Sequence, residues 1–166
     1  MDNYYDSIAD GYEKLHGDEQ KRKVRLIKSH MKTTPNSRIL DIGCGTGISS
    51  DFDCNVVGID PSEELVKIAI KKDKNPKHKY IIEKAENLQA LSFNDKEFDY
   101  VISVTAIHHV EEIEKVLFEI RRIAKKAIIS VLKKSSVKDS LEKQLKNIFT
   151  IEEKVDDELD MIYFLG

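Results

Sequence analysis

The stretch RILDIGCGTGISSDFDCNVVGID, residues 38–60, constrains the chain more than any other. Two short runs rich in isoleucine and valine flank three glycines at every second position, Gly43, Gly45 and Gly47. Each run carries an acid near its end, Asp41 and Asp60. Such runs read as strands buried on both faces, because a strand with one wet face would alternate apolar and polar residues. The remaining chain repeats this unit. RILDI (38–42), NVVGI (55–59), KYIIE (79–83), FDYVISVTAI (98–107) and KAIISVLK (126–133) read as strands. Between them, helical periodicity appears twice. A helix opens at Pro61-Ser62, with Glu63 and Glu64 suiting the positive end of its dipole and Leu65, Ile68 and Ala69 facing inward. A second spans 111–124, with Ile113, Leu117, Ile120 and Ala124 inward.

Strands alternating with helices predict parallel βαβ units in an α/β, three-layer, doubly wound Rossmann-like sheet. A short helix over 140–149 precedes two last strands, IFTIEEKV and LDMIYFL, joined by the acidic turn DDE. A connection that tight permits only an antiparallel pair. The expectation is therefore about seven strands, with an antiparallel hairpin at the carboxyl-terminal edge. NYYDSIADGYEKL places Tyr5, Ile8 and Tyr12 on one helical face, and a further amphipathic helix over 18–31 carries Val24, Leu26, Ile27 and Met31. With 166 residues, the chain is expected to form one domain, 1–166, with 1–31 as a helical cover.

Charge and cysteine content narrow the function classes. The formal charge of −3 argues against a general nucleic-acid binder. The basic stretches KRKVRLIK and KKDKNPKHKY read as solvated faces. Cys44 and Cys54 are not spaced as a zinc site or a redox pair, so no metal is expected. The first residues lack a signal-peptide pattern and no apolar run is long enough to cross a membrane, which predicts a cytoplasmic protein with no membrane partner.

In a doubly wound sheet, ligands bind beyond the carboxyl ends of the strands, where the winding reverses. Glycines after the first strand let a ligand approach bare main chain. An acid ending the second strand, Asp60, can accept hydrogen bonds from both hydroxyls of a ribose. The dinucleotide fingerprint G-x-G-x-x-G is not met, because Ile48 stands where its third glycine belongs. Asp41 would repel a pyrophosphate and suits a ligand ending in an ammonium group. S-adenosylmethionine carries an amino-acid end, a ribose diol and an adenine in the order this strip requires.

LDIGCGTG, VVGIDPSEELVKIA, AENLQALSFNDKEFDYVIS and AIHHV resemble the class I S-adenosylmethionine-dependent methyltransferases, and most of all the ubiquinone/menaquinone-biosynthesis branch. The resemblance covers about residues 1–133. It implies that Asp41, Gly43, Cys44, Gly45 and Gly47 hold the methionine end of S-adenosylmethionine. It implies that Asp60 binds the ribose with Pro61 and Ser62 beside the adenosine, and that Ala85 and Glu86 edge the adenine. Thr105, Ala106 and Ile107 would line the methyl-donor pocket, and Tyr12 would cover the cofactor. Lys84 stands where the family commonly has an acid or a small polar residue. The helix after the glycine loop is cut to about one turn, ISSDFD, and so short a helix is expected to lean on bound cofactor.

Methyl transfer is a displacement on an already activated carbon, so alignment is the protein's main task and no obligatory triad is expected. A weak nucleophile needs a base, for which His108 and His109 at the end of the fourth strand are the candidates. The acceptor is unidentified: a small molecule, or a macromolecule that covers the open pocket. Loops that build lids in related enzymes are short here, so a partner chain, a homodimer or the amino-terminal helix is expected to close the pocket. The alternative function is an S-adenosylmethionine-binding module, or a partner-dependent subunit with little activity of its own.

Overall fold

The computed structural model describes residues 17–166. Tyr5, Ile8 and Tyr12 lie outside the described residues. A helix, α1 (17–29), leads into β1 (Arg38–Ile42), β2 (Asn55–Asp60), α2 (Glu63–Lys72), β3 (His78–Ile82) and β4 (Phe98–Val104). Then come α3 (Ile113–Ile123), β5 (Ala124–Leu132), α4 (Lys138–Ile148), β6 (Ile151–Asp156) and β7 (Asp160–Leu165). Three 3-10 turns, Ile48–Ser50, Ala85–Leu91 and Ile107–His109, follow β1, β3 and β4.

Seven strands form one sheet in the order β3-β2-β1-β4-β5-β7-β6. The first five strands are parallel; β7 runs antiparallel between β5 and β6. The expected hairpin is present, with β7 inserted beside β5 and β6 left at the edge.

The apolar runs are explained by two cores, one on each face. Leu40, Val101 and Ile129 belong to one cluster with Leu117 and Ile120 of α3 and Leu141 and Leu145 of α4. Their chain neighbours Ile39, Ile102 and Ile128 belong to the other, with Ile27 of α1 and Phe52. Successive strand residues point to opposite faces, so every residue of such a run is buried. Each of these side chains contributes about 1.5–3 kcal/mol on burial.

Several boundaries depart from expectation. β4 stops at Val104, not 107, because Thr105 adopts a left-handed φ of 54°. His108 and His109 therefore sit in a 3-10 turn and not on a strand. α3 ends at Ile123 and its backbone extends at once, so Ala124 opens β5 and does not belong to the helix. The buried face of α3 is Val116, Leu117, Ile120 and Ile123, with Ile113 only partly covered. On α2 the buried residues are Leu65, Val66 and Ala69, and Ile68 is half-buried.

The short turn after the glycines finds anchors within the protein. Ser49 and Ser50 donate to the Asp41 carboxylate at 2.6 and 2.7 Å. Phe52 enters a core cluster, and its carbonyl lies 2.8 Å from His78 Nε2. Gly58, inside β2, makes room for Cys44 and Tyr80: a β-carbon there would lie 2.8 Å from Tyr80 Cδ1 and 3.0 Å from Cys44 Sγ.

Candidate functional site

Winding reverses at β1, whose neighbours β2 and β4 lead to opposite edges. A cleft of about 370 Å³ opens there, beyond the carboxyl ends of the strands. Ile42 and Gly43 contribute from β1, Ile59, Asp60 and Pro61 from β2. The segment Glu83 to Glu86 closes one side, and Val104, Thr105 and Ala106 the other. His109 to Glu112 form the rim. The Glu111 amide donates to Glu86 Oε1 at 2.8 Å, which joins the segments after β3 and β4 across the cleft.

The glycine loop is held against β2. The amides of Gly43 and Cys44 both donate to the Ile59 carbonyl, at 2.8 and 3.0 Å. Gly43, Gly45 and Gly47 have φ of 75°, 53° and 91°, a region that side chains rarely enter. At Gly43 the need is also steric, since a β-carbon would lie 2.4 Å from Ala106 Cβ. Asp60 is tied to both loops: Oδ2 accepts from the Gly45 amide and Oδ1 from the Ser62 amide, both at 2.9 Å. It nevertheless faces the cleft.

Gly43, Asp60, Pro61, Ala85, Glu86, Thr105 and His109 of the sequence-predicted residues meet at this cleft. Asp41, Cys44, Gly45 and Ser62 are buried and Gly47 is half-buried; none of the five lines the cleft. Ile107 is fully buried in a core cluster and does not line the cleft. Tyr12 is outside the described residues. His108 lines a second cavity of about 350 Å³, which shares Thr105 and His109 with the first.

Asp41 is fully buried. Loss of water pushes its carboxyl up to about 6, Ser49 and Ser50 oppose this, and repulsion from Asp60 adds to it. Its Oδ1 has no hydrogen-bond partner among the described residues. A buried orphan acceptor next to a second acid suits a cationic group. Burial drives the Cys44 thiol well above its usual range, which disfavours the thiolate that a nucleophile needs.

Among the cleft residues the charges are Asp60, Glu83, Glu86, Glu111 and Glu112 against Lys84. That excess of negative charge disfavours a pyrophosphate and favours a ligand with positive groups. The rings of His108 and His109 lie 4.1 Å apart. Burial and the neighbouring His109 push His108 down to about 4; burial also lowers His109. His108 is neutral at pH 7, with a lone pair to accept a proton.

The second cavity was not legible in the sequence. Glu19, Gln20 and Lys23 of α1 meet Leu132 at the end of β5, Lys133 and Lys134 after it, and Glu158 and Leu159 of the β6–β7 turn. Lys23, within the stretch expected to be solvated, is only 1% exposed. The available signal was its place four residues before the buried Ile27, on one helical face.

Residues 40–129 match a family described as a methyltransferase domain. An uncharacterised protein of Methanocaldococcus jannaschii is 35% identical over 74% of this chain and 46% of its own length. A ubiquinone biosynthesis O-methyltransferase of Rickettsia bellii is 32% identical over 68% of this chain and 49% of its own length. The chain thus spans about half the length of these curated relatives. A Haloferax volcanii methyltransferase, solved with the Trm112 activator, superposes with a TM-score of 0.82 at 15% identity, over 97% of this chain and 96% of that one. Among the described residues no helix is long and apolar enough to cross a membrane, and no metal-binding cluster occurs.

Proposed function

The chain belongs to the methyltransferase-domain family, whose cofactor is S-adenosylmethionine, and from that premise we propose that it transfers a methyl group to an unidentified acceptor. The observation that carries this reading is the acidic cleft at the reversal point, with Asp60 at its floor. S-adenosylmethionine is net positive, and when bound it supplies a methyl carbon made electrophilic by its sulfonium. NAD is net negative and meets the wrong sign.

In this reading Asp60 accepts hydrogen bonds from the ribose while keeping its bonds to the loop amides. Pro61 and Ser62 adjoin the nucleoside, and Ala85 and Glu86 edge the adenine. Asp41, behind Gly43, Cys44, Gly45 and Gly47, offers its orphan oxygen as negative potential toward the amino-acid end. Residues 1–31, with Tyr12, act as the cover. The acceptor enters the second cavity, so that Thr105 and His109 stand where the two spaces meet. His108 and His109 are neutral at physiological pH and accept a proton from an O–H or N–H acceptor; an already ionised acceptor needs neither.

A second reading, a binding module or subunit that works only with a partner chain, is favoured by the activator bound to the Haloferax protein of the same fold. One experiment separates the two. The purified chain is assayed for S-adenosylhomocysteine release against pooled metabolites, RNA and protein extracts, with calorimetric S-adenosylmethionine binding in parallel. Turnover by the chain alone supports the enzyme. Binding without turnover on any pool supports the partner-dependent subunit, and absence of binding rejects both.

A further inference from the structure

We propose that Lys23 is a positioning residue: through Asp160 and Thr105 it sets the wall between the two cavities, so this buried contact, and not the seating of α1 as a whole, governs cofactor affinity. This rests on the reading of the cleft as an S-adenosylmethionine site.

Thr105 is the first residue after β4 and lines both cavities. It is β-branched, yet its φ is 54°. That conformation is unfavourable for threonine and persists only where the surroundings hold it. Three contacts do so. The Thr105 amide donates to Ser130 Oγ at 2.8 Å, and its hydroxyl donates to Asp160 Oδ2 at 2.7 Å. Lys23 Nζ donates to that hydroxyl at 2.9 Å.

Lys23 completes the unit. Its ammonium also lies 2.7 Å from Glu19 Oε1 and 2.8 Å from Asp160 Oδ1, the latter an ion pair without hydrogen-bond alignment. Asp160 and Ser130 are fully buried and Lys23 nearly so. A buried ion pair is a poor source of stability, since apolar side chains of similar size do as well or better. Its effect here is geometric. Asp160 belongs to β7 and Thr105 follows β4, while Lys23 arrives from α1. With Lys23 removed, Asp160 keeps an uncompensated buried charge against the threonine hydroxyl, and the strained backbone loses one of its three holds.

Arg22 supplies a control. It joins α1 to the β6–β7 turn through Asp157, at 2.5 and 2.9 Å, and lines neither cavity. Breaking it loosens α1 without touching Thr105.

The test is S-adenosylmethionine affinity by calorimetry on the full chain, with thermal melting as the folding control. Lys23→Met and Thr105→Val are each expected to raise Kd about tenfold. The double variant is no worse than either single one, because both remove the same hold. Thr105→Ser, which keeps the hydroxyl, stays within about threefold of the unaltered protein. Arg22→Met lowers the melting temperature and leaves Kd within about twofold. An unchanged Kd in Lys23→Met, or single effects that add, overturns the inference. Should Lys23→Met fail to fold, equal affinities of Thr105→Val and Thr105→Ser overturn it. An unaltered protein that binds no S-adenosylmethionine overturns the reading of the cleft, and this inference with it; tight binding that Lys23 does not influence overturns this inference alone.

Discussion

The Gly45 amide donates to Asp60 Oδ2 at 2.9 Å, so the acid that ends β2 also holds the loop that follows β1. This carboxylate bridges the ends of the two strands at the cleft.

Asp60→Ala is accordingly expected to do two things. Loss of its bonds to Gly45 and Ser62 lowers stability by about 1–3 kcal/mol. Loss of a charged acceptor weakens S-adenosylmethionine binding about tenfold or more. Urea unfolding and calorimetry read these separately, and unchanged affinity in a folded variant removes Asp60 from the ligand.

Gly43→Ala places a methyl 2.4 Å from Ala106 Cβ, at a φ of 75°. Overpacking and the left-handed backbone together cost about 2–4 kcal/mol. The denaturation midpoint drops accordingly, and cofactor affinity falls as the segments after β1 and β4 are forced apart. A midpoint equal to that of the unaltered protein shows that the contact relaxes freely.

Asp41 makes stability depend on pH. Its folded-state carboxyl lies near 6, above the ordinary 3.8, so between those values the folded chain binds a proton that the unfolded chain has released. That contribution is fully present below about pH 4 and is lost as pH rises to 6, a change of roughly 3 kcal/mol. Unfolding free energies of the unaltered protein and of Asp41→Asn, measured from pH 4 to 7, are expected to differ by this slope. Parallel curves would show that Asp41 titrates normally.

Histidine chemistry leaves its own mark. His108, pushed down to about 4, remains a base far below the usual histidine range. If it accepts the acceptor's proton, the acid limb of kcat/KM lies near pH 4 and vanishes in His108→Asn. A limb near 6.5 that survives in both His108→Asn and His109→Asn excludes the two histidines.

Saturating S-adenosylmethionine at a hundredfold over Kd stabilises the folded chain by about 2.7 kcal/mol. For a chain of this length that raises the melting temperature by roughly 5–10 °C. A flat thermal profile counts against the cleft as a binding site.

What the sequence determined by itself was everything governed by local pattern. Continuous apolar runs such as VVGI and YVIS require strands covered on both faces, and a three-residue connection before LDMIYFL requires antiparallel pairing. Glycines at 43, 45 and 47 announced a stretch of bare main chain between two acids. What only the tertiary structure decided depends on residues remote in the chain. Thr105 ends β4 early because Ser130, Asp160 and Lys23 hold it, from β5, β7 and α1. Lys23 reads as one more basic residue of a solvated helix until Asp160, 137 positions later, supplies its counter-charge in the interior. Periodicity records which face of an element is buried, since that is set by neighbours three or four residues away. It carries no record of which buried charges meet, since that is set by how the sheet brings distant segments together.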